Sequence, residues 1–195
     1  MLYINQNDYP DMHYEHNVDN GGVAPEKQNI KTAGCGLCSL TMVVNHLTAK
    51  DFSLENCIEA AYKSGANRVH GSRMRWLAPP VAEEYGLDYK MTASIDEAIE
   101  CIRDGGEVIA LVKGDREGKD GLFTHIGHYM VLIAYDGEEF CILDPGITEG
   151  KFDEAVKEGK LRLSYPFLWC KKEIIKEEED NTVAAYYLFK RKKTH

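Results

Sequence analysis

Residues 128–145 read HYMVLIAYDGEEFCILDP, two runs of apolar, β-branched and aromatic residues joined at Asp136-Gly137. Asp-Gly between two such runs is a strong hairpin signal, because both residues accept the positive φ that a tight turn demands. The stretch therefore predicts two antiparallel strands. Working outward, EVIALVKG from Glu107 predicts a strand before the hairpin, and TVAAYYLFKR from Thr182 a last strand after it. Between them, the acidic stretch KKEIIKEEED predicts a helix or a solvated loop.

Upstream of Gly106 the period changes from two to that of a helix. Leu37, Leu40, Thr41, Val44 and Leu47 recur at helical spacing and predict a helix over Cys35 to Leu47. SLENCIEAAYKSG predicts another, with Ser53 as cap and Gly65 as stop. GSRMRWLAPPVAEEYGL is helical on either side of Pro79-Pro80, which predicts two short helices or one broken there. In SIDEAIECIRDGGEV, Ser94 and Glu97 read as a capping box, Ile95, Ala98, Ile99 and Ile102 share one face, and Gly105-Gly106 ends the helix. Helices first and an antiparallel sheet second is an α+β plan. No internal repeat interrupts it. Residues 1–34 are polar and rich in Gly and Asn, so the opening, residues 1–27 in particular, is expected as an extended N-terminal segment on one domain spanning 1–195.

Charge and composition exclude several functions. Lys plus Arg is 23 against 32 Asp plus Glu, a net charge of −9, which gives no reason to seek a phosphate backbone, so nucleic acid is not an expected partner. The short basic end, FKRKKTH from Phe189, reads as a solvated tail. No apolar run is long enough to span a bilayer, and the opening lacks the basic and apolar regions of a signal peptide. The chain as written is thus expected in the cytoplasm; secreted or cell-surface placement stays open if a signal was removed. The six cysteines are too sparse for a disulfide scaffold. Cys57, Cys101 and Cys141, each among apolar residues, are expected in the core. Oligomeric state is not legible.

The chemistry starts at Cys35. A thiol in the first turn of a helix feels unpaired N–H groups and the positive end of the helix dipole, and both favour thiolate. Gly34 and Gly36 beside it leave the backbone open to a ligand. A thiolate needs a base and the base an orienting partner. His128 opens one strand of the hairpin and Asp144 closes the other, so the turn brings them side by side. An oxyanion needs two donors: the Cys35 N–H is one, and Gln28 or Asn29, seven and six residues upstream, offers the other.

In their order and spacing, Gln28, GCGLCSLTMVVNHLT and FTHIGHYMVLIAYDGEEFCILDPG resemble the papain-like cysteine peptidases related to the bacteriocin-processing, double-glycine-leader peptidases. The resemblance spans roughly Gln28 to Gly146 and implies a papain-like fold, with a helical half carrying the nucleophile packed on an antiparallel sheet. It further implies Cys35 as nucleophile, His128 as general base and then acid, Asp144 as the residue orienting His128, and Gln28 as oxyanion donor. The position six before the cysteine, where many relatives carry the Gln, is Asn29. A peptide or protein substrate, a thioester intermediate, and no cofactor or metal follow from the same likeness.

Two other functions share these residues. A papain-like module could capture peptides without cutting them. Alternatively, Cys35 and Cys38 could form a thiol redox pair, although EKQNIKTAG lacks the buried strand such a motif follows. Zinc bound by Cys35, Cys38, His125 and His128 would need loop and strand ligands to converge. Cys38, one turn into an apolar helix, Trp76 and Tyr129 are expected to pack rather than to react.

Overall fold

The computed structural model describes residues 1–16, 23–68 and 71–193. Two 3-10 turns, Gln6–Asp8 and Pro25–Lys27, precede seven α-helices: α1 (Ile30–Ala33), α2 (Cys35–Leu47), α3 (Leu54–Lys63), α4 (Met74–Tyr85), α5 (Ile95–Arg103), α6 (Asp153–Lys157) and α7 (Lys172–Glu178). The strands are β1 (Leu87–Thr92), β2 (Glu107–Lys113), β3 (Gly127–Tyr135), β4 (Glu139–Leu143), β5 (Arg162–Ser164), β6 (Phe167–Lys171) and β7 (Tyr186–Arg191). All seven join one antiparallel sheet in the order β1-β7-β2-β3-β4-β6-β5.

Strand alternation divides the core. Ile109, Val131, Leu143, Tyr187 and Phe189 face α2, α3 and α4, while their neighbours Val108, Met130, Leu132, Ile142 and Leu188 face α5 and the C-terminal elements. Because side chains reverse face at every residue, this register is fixed by burial on both sides of the sheet. The β3–β4 hairpin turns where Asp136 accepts the N–H groups of Glu138 and Glu139, and Gly137 takes φ 111°, a conformation costly for any side chain. The papain-like α+β plan is the one observed.

Several elements differ from their sequence reading. Helix α4 runs unbroken through Pro79 and Pro80. Both prolines are exposed, so solvent can take the carbonyls left unpaired one turn earlier. Burial of Met74, Leu77 and Val81, at about 1.5–3 kcal/mol each, offsets a cost of about 3 kcal/mol per interior proline. Ser94 caps α5 as expected, but the Glu97 side chain pairs with Lys90. The acidic stretch forms α7, and its Glu178 is buried. Phe189 to Arg191 belong to β7, as the last-strand reading expects, so the basic tail is shorter than FKRKKTH; Thr194 and His195 lie outside the described residues.

The N-terminal segment is stitched to the sheet. Ile4 and Tyr14 enter the core, the Gln6 N–H donates to the Pro145 carbonyl at 2.7 Å, and Asn5 Nδ2 donates to the Ile147 carbonyl at 2.7 Å. These bonds place residues 3–6 against the loop that follows Asp144. Among the described residues, no helix is long and apolar enough to cross a membrane.

Candidate functional site

Helix α2 starts at Cys35 because α1 ends one residue before it: the Gly34 N–H closes α1 on Ile30, and the Gly34 carbonyl opens α2 by accepting from Cys38. A side chain at Gly34 would collide with Ile30 at 2.5 Å. The Cys35 N–H, at the first position of α2, has no partner within the helix. Cys35 is half-buried, whereas Cys38 is fully buried.

His128 is the second residue of β3 and Asp144 directly follows β4. The pairing of Val131 with Leu143 brings the two side chains together across the hairpin. His128 Nε2 lies 2.5 Å from Asp144 Oδ1, and the imidazole is near enough to the Cys35 thiol for each to shift the other's protonation. With Nε2 on the carboxylate, Nδ1 is the nitrogen left for sulfur. His128 is 7 % exposed and Asp144 fully buried.

The carboxylate has more partners than the histidine. Asp144 Oδ1 also accepts the Gly146 N–H at 2.7 Å, and Lys151 Nζ donates to Oδ2 at 2.8 Å and to the Gly146 carbonyl at 3.0 Å. The Tyr3 hydroxyl donates to the Asp144 carbonyl at 2.7 Å. Gly146 leaves room for this proximity, since a Cβ there would crowd His128 Cε1 at 3.1 Å.

These contacts set the charges. Burial disfavours the Asp144 anion, but His128 and Lys151 outweigh it and hold the carboxyl well below its usual range. Burial likewise disfavours the imidazolium, yet Asp144 and Cys35 push His128 up to about 9. For Cys35, burial is outweighed by the hydrogen bond and charge of His128 and by the Tyr129 and Gly36 N–H groups, so its thiol lies below the ordinary value. The other cysteines go the opposite way. Burial raises Cys57 to about 12 and Cys101 and Cys141 to about 11, and burial followed by Cys35 and Cys57 raises Cys38 well above a normal thiol. Cys35 is the thiol whose surroundings favour the anion.

The amides are distributed differently from the sequence expectation. Gln28 Oε1 accepts the His16 N–H at 2.7 Å, and its Nε2 donates to the His16 and Val23 carbonyls. Asn29 caps α1 through the Thr32 N–H at 3.0 Å and donates to the Glu26 carbonyl. The amide that shares a cleft with His128 is Gln6. Its Nε2 gives one N–H to the Lys31 carbonyl at 2.7 Å, leaving the second unassigned. Gln6 and Lys151 are the two residues that the sequence reading did not single out. A polar amide 29 residues before the cysteine carries no local signal, and Lys151 meets Asp144 only through the turn after β4.

The cleft beside His128 measures 670 Å³ and includes Thr124, His125, Thr148 and Lys151. The loop between β2 and β3 forms one wall and is anchored by Glu178, which accepts from Arg116 at 3.0 Å, Lys119 at 3.0 Å and the Leu122 N–H at 2.9 Å. His125 is exposed and its Nδ1 pairs with Asp115 at 3.0 Å. Among the described residues, no group of three or more His, Cys, Asp or Glu is placed to hold a metal ion. Trp76 is 39 % exposed rather than core, and Tyr129 is half-buried against Gly36.

A model of the Peptidase_C39 like family matches residues 3–168. Among curated proteins none matches the chain. Among the solved structures that share its fold are two peptidase-family proteins. The peptidase domain of Streptococcus ComA, a bifunctional ABC transporter involved in quorum sensing, is 15 % identical with a TM-score of 0.50, covering 81 % of this chain and 91 % of that one. A protein from Bacillus anthracis described as a C39-like peptidase is 13 % identical with a TM-score of 0.55, covering 83 % and 90 %.

Proposed function

The chain belongs to the Peptidase_C39 like family, and from that premise we propose that it is a cysteine peptidase hydrolysing an amide bond through Cys35, His128 and Asp144. The observation that carries this reading is the imidazole of His128 held between the Cys35 thiol and the buried Asp144 carboxylate. The Cys35 thiolate attacks the carbonyl carbon. The oxyanion that forms accepts the Cys35 N–H and, in our assignment, the second N–H of Gln6 in place of Gln28 or Asn29. The imidazolium of His128 gives its Nδ1 proton to the leaving amine, and the acyl group remains on sulfur as a thioester. Neutral His128 then takes a proton from water, hydroxide adds to the thioester, and Cys35 leaves as thiolate paired again with imidazolium. Asp144 keeps the ring oriented throughout.

The redox alternative fits less well: Cys38 is fully buried and its thiol is pushed far from ionisation by burial. The deciding experiment is iodoacetamide alkylation across pH, read by mass spectrometry at each cysteine, in the wild type and in His128→Ala. The hydrolase reading expects Cys35 to react well below pH 7 and to lose that advantage without His128. A Cys35 that titrates near the free-thiol value of about 8.5 and ignores His128 overturns it and leaves a peptide-binding module.

A further inference from the structure

Helix α4 and the sheet meet at a cavity lined by Arg73 and Arg75, with Tyr129 and Met74 standing between it and the start of the nucleophile helix. Next to the nucleophile, Tyr129 and Met74 press on Gly36, where a Cβ would stand 3.1 and 3.4 Å from them. The same Tyr129 and Met74 form one wall of the 330 Å³ cavity, which is floored by Leu111 and Tyr187. Extended chain advances about 3.3–3.6 Å per residue, so a peptide with its carbonyl on Cys35 reaches this cavity within a few residues.

Arg73 and Arg75 supply the cationic part of the lining. Their guanidiniums stand 5.2 and 5.6 Å from the centroid of the Trp76 ring, a stacking that holds a planar cation in place without neutralising it. Arg116 and Arg162 are paired with carboxylates; Arg73 and Arg75 are paired with none among the described residues. Arg73 Nε is buried with no hydrogen-bond partner. Asp180 is the acidic residue of the lining, and its Oδ1 is occupied by the Thr182 N–H and hydroxyl at 3.0 and 2.6 Å. In a chain of net charge −9, two guanidiniums over an apolar floor, outnumbering the one carboxylate of the lining, favour a carboxylate ligand.

We propose that this cavity is a substrate subsite that receives an acidic side chain a few residues from the scissile bond, with Arg73 and Arg75 binding its carboxylate. The assignment rests on the peptidase reading and narrows its substrates to acidic peptides. The free carboxylate of a chain end offers the same chemistry, so the test separates the two sources.

Cys35→Ala protein, which keeps the cavity and cannot turn over, is exposed to a random peptide mixture blocked at both termini, and the retained peptides are sequenced by mass spectrometry. Asp and Glu are expected to be enriched at one position, with a matched Glu peptide bound about 10- to 100-fold more tightly than its Gln counterpart, the range expected for hydrogen bonds to a charged group. That preference is expected to vanish in Cys35→Ala carrying Arg73→Gln and Arg75→Gln. If that variant melts early, Arg75→Gln alone, at an exposed position of α4, gives the same readout. No acidic enrichment, or enrichment that survives loss of the arginines, overturns the subsite. Enrichment seen only in a second mixture with free C-termini overturns the side-chain assignment in favour of chain ends. Cleavage of the retained peptides by the wild type is scored separately: its absence overturns the peptidase reading and leaves the subsite result standing.

Discussion

Lys151 and His128 grip opposite oxygens of one buried carboxylate, Nζ at 2.8 Å from Asp144 Oδ2 and Nε2 at 2.5 Å from Oδ1. The lysine draws off part of the negative charge that would otherwise hold the proton on His128. In Lys151→Met the imidazolium should be stabilised further, so the alkaline limb of peptide hydrolysis should move up from about 9. Lys151→Arg should leave it near the wild-type position. The Met variant should also lose about 2 kcal/mol in urea unfolding, the scale of a hydrogen bond to a charged group. An unmoved limb would show that Lys151 only braces the loop.

The depressed Asp144 carboxyl makes a separate prediction on the acid side. A group whose folded value lies below its unfolded value, about 3.9, stabilises the fold above that unfolded value and loses its contribution as pH falls through the folded one. The melting temperature of the wild type should therefore decline as pH drops below about 4, and Asp144→Asn should decline less steeply. Parallel slopes would contradict the charge assignment at Asp144.

The three amides near the site should separate by what they affect. Gln6→Ala should lower kcat by about 100- to 1,000-fold, as loss of one oxyanion donor does, while Cys35 alkylation stays at its wild-type pH. Asn29→Ala removes a helix cap and should cost about 1 kcal/mol of stability. Gln28→Ala should disturb the packing of His16 and Val23 without a comparable fall in kcat. A Gln28→Ala enzyme as impaired as Gln6→Ala would return the oxyanion role to Gln28.

Glu178 lies away from the reacting atoms but carries the wall of the cleft. Glu178→Ala leaves Arg116, Lys119 and the Leu122 N–H without their shared acceptor. The loop between β2 and β3 should then become the first site of limited proteolysis, KM should rise, and the pH dependence of Cys35 alkylation should hold. A shift in that pH dependence would mean the loop also sets the electrostatics of His128.

How much of this was legible depends on how locally it is encoded. Helix α2 was found residue for residue because the glycines at its start and the spacing of Leu37, Leu40, Val44 and Leu47 lie within a few turns. His128 and Asp144 could be paired from sequence because an Asp-Gly turn fixes which residues face each other. Helix α4 was misread at Pro79-Pro80, since local steric cost speaks in the sequence while the burial that overrides it does not. Strands β1, β5 and β6 carry no such signal; residues such as Asp88, Lys90, Arg162 and Lys171 break their apolar pattern, and the pairing of β1 with β7 and of β6 with β4 and β5 is not local to any of them. Gln6 was missed for the same reason, since only the bonds to Pro145 and Lys31 bring it to the cleft.

Strand β7 is inserted between β1 and β2, so the sheet on which His128 sits cannot close until residues 186–191 are available. A ribosome adds about 5–20 residues per second, which separates the making of Asp144 from that of β7 by a few seconds. During that interval β2, β3 and β4, which carry His128 and lead into Asp144, can already pair with one another, whereas β1 has no strand to pair with. Strand order thereby makes β1, synthesised early, wait for the last strand before it can join the sheet, since β7 is its pairing partner among the described strands.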